Sequence, residues 1–363
     1  MWDNNRLCTL LGTQLPLIQA PMAGSSTAEL AIAASRAGAL GSIAAAMLNP
    51  EQLQDQCRQV KEHSNGRYNV NFFVHAEPTL DPAKDEAMRE LLKPAYDALE
   101  LTDVPKAAVP FPSFSQEQFD IMMHEQPSVV SFHFGLPDDD KVRALQDTGI
   151  KILCSATSVA EARILQSRGI NAIIAQGFEA GGHRGTFAKP YETGQVGTMA
   201  LVPQIVDAVE VPVIAAGGIG DGRGIAAAMA LGADGVQIGT SFLRCPESAT
   251  NAAYRDALKN STDDETRITH AFSGRPARGL NNTYVKDMAG KEDQLPDFPI
   301  PNSLTGPLRA KSGNLDSPDY MSLWSGQAGA LARDLPAGEL IGTLMREAED
   351  VIGDLHSKSK GNS

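Results

Sequence analysis

"VPVIAAGGIGDGRGIAAAMALGADGVQIGT", Val211 to Thr240, decides the fold of this chain. It opens on a short apolar run, turns through "GGIGDG", continues with helical spacing in "GRGIAAAMALGA" and ends on a second apolar run, "GVQIGT". Strand, glycine loop, helix and strand make one unit of a parallel sheet, because parallel neighbours need a long crossover between them.

The same alternation extends toward the N-terminus. Apolar runs at "LPLIQA" (15–20), "ALGSIAA" (39–45), "YNVNFFV" (68–74), "SVVSFHF" (128–134), "KILCSA" (151–156) and "NAIIAQ" (171–176) join the two above to give eight strand candidates. Between them lie helix-like segments such as "TAELAIAASRAGA" and "VAEARILQSRG", which begin after Ser, Thr, Asn or Asp and end at Gly, as capped helices do. The count predicts an α/β fold of the (β/α)8 TIM barrel type over residues 1–245, with a doubly wound open sheet as the alternative. An insertion is expected after the third strand, at about 75–115, where helical periodicity gives way to a Pro-rich passage. Residues 246–355 read as a helical and loop extension packing over the barrel mouth. Within it "ESATNAAYRDALKN" looks helical, 273–307 is Pro/Gly/Asn-rich, and helices are expected around 318–333 and 337–355. The tail, 356–363, is expected to be disordered.

Composition narrows the function. The 363 residues are 42% hydrophobic and 21% charged, enough for a sizeable core. A net charge of -13 with no Lys/Arg block repels phosphate backbones, so no nucleic-acid partner is expected. Four cysteines, Cys8, Cys57, Cys154 and Cys245, stand far apart and suggest neither a metal site nor a disulfide framework. No signal sequence or membrane span is evident, and a cytoplasmic location follows as the expectation.

In a (β/α)8 barrel the ligand site forms at the C-terminal ends of the strands. The glycines of "AGGIGDG" and "QIGT" let backbone N–H groups approach an anion, and the loops after the last two strands form the usual phosphate site of the fold. Gly217, Gly218, Gly239 and Thr240 are therefore candidate phosphate binders, with Gln237 beside them; ordinary glycine turns are the bland alternative. On the third strand Asn69, Asn71 and Phe73 share one face. Gln176 ends the sixth strand with an amide able to donate to and accept from a heteroaromatic edge. His133 in "SFHFG" points toward the mouth, and His183 lies on the loop "EAGGHRG" that follows Gln176; either histidine could accept a proton.

Together "LPLIQAPMAG", "NVNFFVH", "SFHFG", "AQGFEAGGHRGTF", "AAGGIGDGRG" and "GVQIGT" resemble the signatures of class I nitronate monooxygenases, the 2-nitropropane dioxygenase family, from about Leu15 through "LWSGQ" at 323–327. The resemblance implies an FMN-dependent enzyme that oxidises alkyl nitronates, propionate 3-nitronate foremost, with O2 to a carbonyl compound and nitrite. It implies FMN contacts at Met22, Asn69, Gln176, Gly181, Gly218 and Gln237 to Thr240. His183 would be the active-site histidine, with Gly181 and Gly182 leaving room beside the flavin ring. No metal is expected, electron transfer is expected to pass through a flavin semiquinone, and a homo-oligomer is left open. The chain departs from the pattern at Ser325, where alanine is more usual. The rival reading is an NAD(P)H-dependent FMN reductase on the same barrel, acting on an enoyl thioester or quinone.

Overall fold

The computed structural model describes residues 2 and 4–360. All eight apolar runs are strands: β1 (Leu17–Gln19), β2 (Gly41–Ala44), β3 (Tyr68–Phe73), β4 (Val129–His133), β5 (Lys151–Ala156) and β6 (Ala172–Gln176), then, after the two-residue strand β7 (Gly182–His183), β8 (Val213–Ala216) and β9 (Gly235–Ile238). Apart from β7 they pair in parallel in the order β1-β9-β8-β6-β5-β4-β3-β2. A parallel bridge between Ile18 and Leu40 joins the two ends, so the sheet closes into a TIM barrel.

Alternation along each strand separates an outer core from an inner one. Tyr68, Val70 and Phe72 of β3 pack outward, under the helices, and Phe72 meets Phe114 at 4.7 Å. Asn69, Asn71 and Phe73 consequently face inward. The floor of the barrel is apolar: Ile18, Leu40, Val129, Leu153, Ile174 and Ile214 pack against Leu7 and Leu11 of the helix Arg6–Leu11, which plugs the N-terminal end. With the floor dry, the interior polar side chains are free to gather at the opposite, C-terminal mouth.

The insertion after β3 has the expected form. Asp81 accepts from the Ala83 backbone N–H at 2.9 Å and starts the helix Pro82–Ala98; a Pro-rich segment then leads to Ser115, which caps the helix Gln116–Glu125 in a reciprocal box with Gln118.

The C-terminal half departs from expectation in three ways. First, the barrel does not end at residue 245. The helix Ala337–Ser359 buries Leu340, Ile341, Leu344, Met345 and Ala348 in the outer core. It packs against the helices Ala28–Arg36 and Gly222–Ala230, in the place of the eighth barrel helix. Only 246–336 is inserted, between the last strand and that helix. Second, the helix expected at 318–333 is absent; the chain there is extended, with one short 3-10 turn at Gly329–Leu331, and the helix lies upstream at Pro301–Asn314. Pro301 opens that helix in the position where a missing N–H costs nothing, whereas Pro318, Gly326 and Gly329 interrupt the later segment. Third, the stretch at 273–307 contains a strand, β11 (Ala277–Leu280), between β10 (Thr266–Thr269) and β7 in a small antiparallel sheet. The expected disordered tail is helical through Ser359, and 361–363 lie outside the described residues. Among the described residues no helix is long and apolar enough to cross a membrane.

Candidate active site

A cavity of about 410 Å³ opens at the C-terminal ends of the strands. Met22, Gln176, Gly181, Gly217, Gly218, Gln237, Gly239, Thr240, His133 and His183 all line it. Asn69 does not. It is 1% exposed, its Nδ2 donates to Ser42 Oγ at 3.1 Å, and it lies one inward position, about 7 Å, nearer the floor than Asn71. Asn71 takes the expected place at the mouth, with Nδ2 donating to Ser131 Oγ at 2.9 Å.

The loop after β6 is fixed from three sides. Gln176 Nε2 donates to the His183 carbonyl at 2.9 Å while its Oε1 accepts from the Gly185 N–H at 2.7 Å. The amide thus spends one donor and one acceptor on the loop, keeping one N–H and one lone pair. His133 Nε2 approaches the same His183 carbonyl at 3.0 Å. Since a carbonyl only accepts, Nε2 carries the proton and Nδ1 accepts from Ser155 Oγ at 2.9 Å. Both nitrogens of His133 are thus engaged by protein partners, although the ring lines the cavity. From the third side, β7 pairs with β11, His183 opposite Ala277, and Arg184 ties down the carbonyls of Gln176 and Gly194.

This scaffold delivers the His183 ring into an aromatic box. Phe73, Phe134, Phe298 and Trp324 surround it with ring centroids at 5.6 to 5.8 Å. Its Nε2 lies 2.8 Å from Ser273 Oγ, and among the described residues Nδ1 has no protein partner. Burial among these rings, reinforced by nearby His133 and Arg275, lowers the His183 pKa to about 3. Burial likewise lowers His133 to about 4, despite its hydrogen bond to the His183 carbonyl. Both imidazoles are neutral at physiological pH.

The other end of the cavity has the backbone donors that an anion would need. Gly217 and Gly218 have φ of 106° and 72°, a backbone that L side chains rarely adopt, and with Gly239 they present N–H groups that no protein acceptor takes among the described residues. Gln237 Oε1, on β9, is buried without a partner. A side chain on Gly239 would make only ordinary contacts, with Ala20 and Met22. Packing within the protein does not require glycine there, which leaves the backbone bare toward the cavity. Orphaned acceptor, free N–H groups and bare backbone together fit a nucleotide-like cofactor. Gly181 lines the cavity as expected and is also required by packing, because a Cβ there would lie 2.5 Å from the Gly326 nitrogen. The 323–327 segment docks on it, with Gln327 N–H donating to Glu179 O at 3.0 Å and Gly326 N–H donating to Thr240 Oγ1 at 3.0 Å.

The segment between the last strand and the last helix also supplies lining residues that the sequence did not disclose: Tyr254, Asn302, Arg309 and Trp324. The extension was expected over the mouth, but which of its side chains face inward was not legible. Tyr254 donates to the Trp324 carbonyl at 2.6 Å and holds that segment over the mouth.

A family model described as nitronate monooxygenase matches residues 4–347. Proteins named "Probable nitronate monooxygenase" from Staphylococcus aureus strains MSSA476 and MRSA252 are each 40% identical over 358 residues, 97% of this chain and 99% of theirs. Among solved structures, nitroalkane oxidase from Streptomyces ansochromogenes aligns with a TM-score of 0.87 and 34% identity, covering 96% of this chain and 99% of that one. FabK from Thermotoga maritima aligns with a TM-score of 0.76 and 26% identity, covering 98% and 99%. The match over nearly the whole chain shows that it belongs to the nitronate monooxygenase family of oxidoreductases, which are flavin-dependent in general.

Proposed function

We propose that the protein is an FMN-dependent nitronate monooxygenase, converting alkyl nitronates such as propionate 3-nitronate with O2 to a carbonyl compound and nitrite. The observation that carries this reading is the neutral His183 in its aromatic box, in the same cavity as the glycine-lined anion end. Gly217, Gly218, Gly239 and Thr240 would hold the phosphate of FMN, with Met22, Gln176 and Gln237 along its ring system. Bound there, the flavin supplies electron transfer and reactivity toward O2.

The residues do the rest. A nitronate is already a carbanion equivalent, so it needs orientation rather than deprotonation. Ser273 can turn its hydroxyl so that Oγ–H donates to His183 Nε2, leaving Nδ1–H to donate to a nitronate oxygen. With its pKa held near 3, the imidazole stays uncharged and does not reprotonate the nitronate carbon to the unreactive nitroalkane. The surrounding Phe and Trp rings exclude water, which strengthens that hydrogen bond.

Likeness to FabK supports a second reading, an NAD(P)H-dependent FMN reductase. One experiment separates them. FMN-loaded protein is supplied aerobically with ethylnitronate, following nitrite and O2, and anaerobically with NADH or NADPH, following flavin bleaching. Nitrite release without rapid bleaching is expected; the opposite pattern would transfer the protein to the reductases.

A further inference from the structure

Arg309 is half-buried and, unlike the buried Arg184, Arg244 and Arg278, lines the active-site cavity. Arg244 is paired with Asp334 at 2.5 Å. Arg184 donates to the carbonyls of Gln176 and Gly194, and Arg278 donates to Phe178 O and Thr266 Oγ1. Arg309 makes one hydrogen bond, from Nη2 to Asn302 O at 3.0 Å. Its Nε is buried without a partner, and no carboxylate is paired with it among the described residues. Burial lowers its pKa, with Tyr284 as the opposing influence, yet a guanidinium remains charged in proteins.

A partly desolvated cation without a carboxylate partner is costly, and a ligand carboxylate entering the cavity beside it would offset that cost. Arg309 lines the active-site cavity itself, together with His183. The helix Pro301–Asn314 holds it there, anchored by Tyr96, whose hydroxyl donates to Leu304 O at 2.7 Å. Nη1 is free of protein partners among the described residues and Nη2 spends one of its two N–H groups on Asn302, so the Nη1–Nη2 edge of the guanidinium keeps the paired donors that match a carboxylate. Trp324, 5.6 Å from the His183 ring, and Met321 also line the cavity and give it apolar wall that suits an aliphatic spacer.

We propose that Arg309 is the specificity-determining residue of this enzyme, receiving the carboxylate of a substrate whose nitronate end lies against His183. This rests on the nitronate reading above. Arg309 does not touch the reacting atoms, so its contribution appears in selection between substrates rather than in the chemical step.

The test compares substrates that differ only in the terminal carboxylate. Propionate 3-nitronate is set against propyl-1-nitronate, and the one-carbon-longer carboxylated nitronate against butyl-1-nitronate, with FMN-loaded wild type, Arg309→Gln and Arg309→Lys. Arg309→Gln is expected to lose about 100-fold in kcat/KM on the better carboxylated substrate, mostly through KM, and less than about 3-fold on the alkyl pair. Arg309→Lys keeps the charge without the fork and should fall between. Equal losses on both substrate types, or no loss on either, would overturn the proposal. If wild type released nitrite from none of the four, the nitronate reading itself would fall. Arg309 would then be judged by titrating succinate into the wild-type holoenzyme and the Lys variant and following flavin absorbance: saturation weakened at least about 10-fold by the substitution supports the carboxylate subsite, and equal or absent responses reject it.

Discussion

His133 Nε2 donates at 3.0 Å to the main-chain carbonyl of His183, so one histidine of the site holds the backbone of the other. The carbonyl's second lone pair is taken by Gln176, which leaves it fully satisfied only while both side chains are present. Replacing His133 by Leu leaves the carbonyl short of a partner and frees Ser155 as well. A buried group losing its partner costs about 1 to 3 kcal/mol. His133→Leu should therefore lower kcat/KM for ethylnitronate roughly 10- to 100-fold while retaining flavin, and His133→Gln, which can still donate to the carbonyl, should recover most of it. If the Gln variant were as poor as the Leu variant, His133 would be acting in the chemistry and not through the loop.

His183 itself should behave differently. In His183→Asn the loop keeps its pairing with β11, because that pairing uses the main chain. The anion end of the cavity is untouched. The expected protein purifies with its flavin, and its nitrite release falls about 100-fold, the usual scale for losing one aimed hydrogen-bond donor in a dry site. Steady-state kinetics together with the flavin content of the purified variant check this. Wild-type turnover would remove His183 from the proposed mechanism.

Burial of two neutral histidines also gives stability a pH dependence with a definite sign. Their folded pKa values, about 3 and 4, lie below the unfolded value of about 6.5. Between those limits the unfolded chain binds more protons, so stability is complete above pH 6.5 and declines as pH falls. At pH 5 the loss is about 2 kcal/mol for each histidine. Melting curves of the holoenzyme at pH 7.5 and 5.0 should show the decline, and His183→Phe should show roughly half of it. An identical decline in that variant would mean that His183 is not held neutral.

The barrel was readable because its strands are buried on both faces and therefore appear as unbroken apolar runs such as "KILCSA" and "NAIIAQ". Much of the site was readable for the same reason: once a strand's end is known, Gln176, His133 and Gln237 fall at the mouth by counting. Counting could not tell Asn69 from Asn71, which share a face of β3 and differ only in depth. Nor could it find β11, whose "ARGL" pairs through its main chain and whose Arg278 and Gly279 answer to neighbours distant in sequence. The eighth helix was legible as a helix. Its partners were not, because 98 residues, 239–336, intervene between the strand it follows and its start. Arg309 sits in an ordinary-looking "PLRAKSG", and only the cavity reveals that nothing opposes its charge.

Gly218 tests the anion end. Its φ of 72° is one that Asn and Asp adopt more readily than other side chains, and a Cβ there would meet Glu179 Cβ at 3.3 Å, a tight but adjustable contact. Gly218→Asn and Gly218→Asp thus impose the same bulk and the same backbone demand and differ in one negative charge. Like charges brought together in a binding site cost several kcal/mol. If the loops after β8 and β9 hold the phosphate of FMN, the Asp variant should purify almost colourless, with affinity for added FMN at least about 100-fold below that of the Asn variant. Flavin released on denaturation and FMN titration of the apoprotein give both numbers. Equal occupancy in the two variants would mean that no phosphate rests beside Gly218, and the cofactor would have to be placed elsewhere in the mouth.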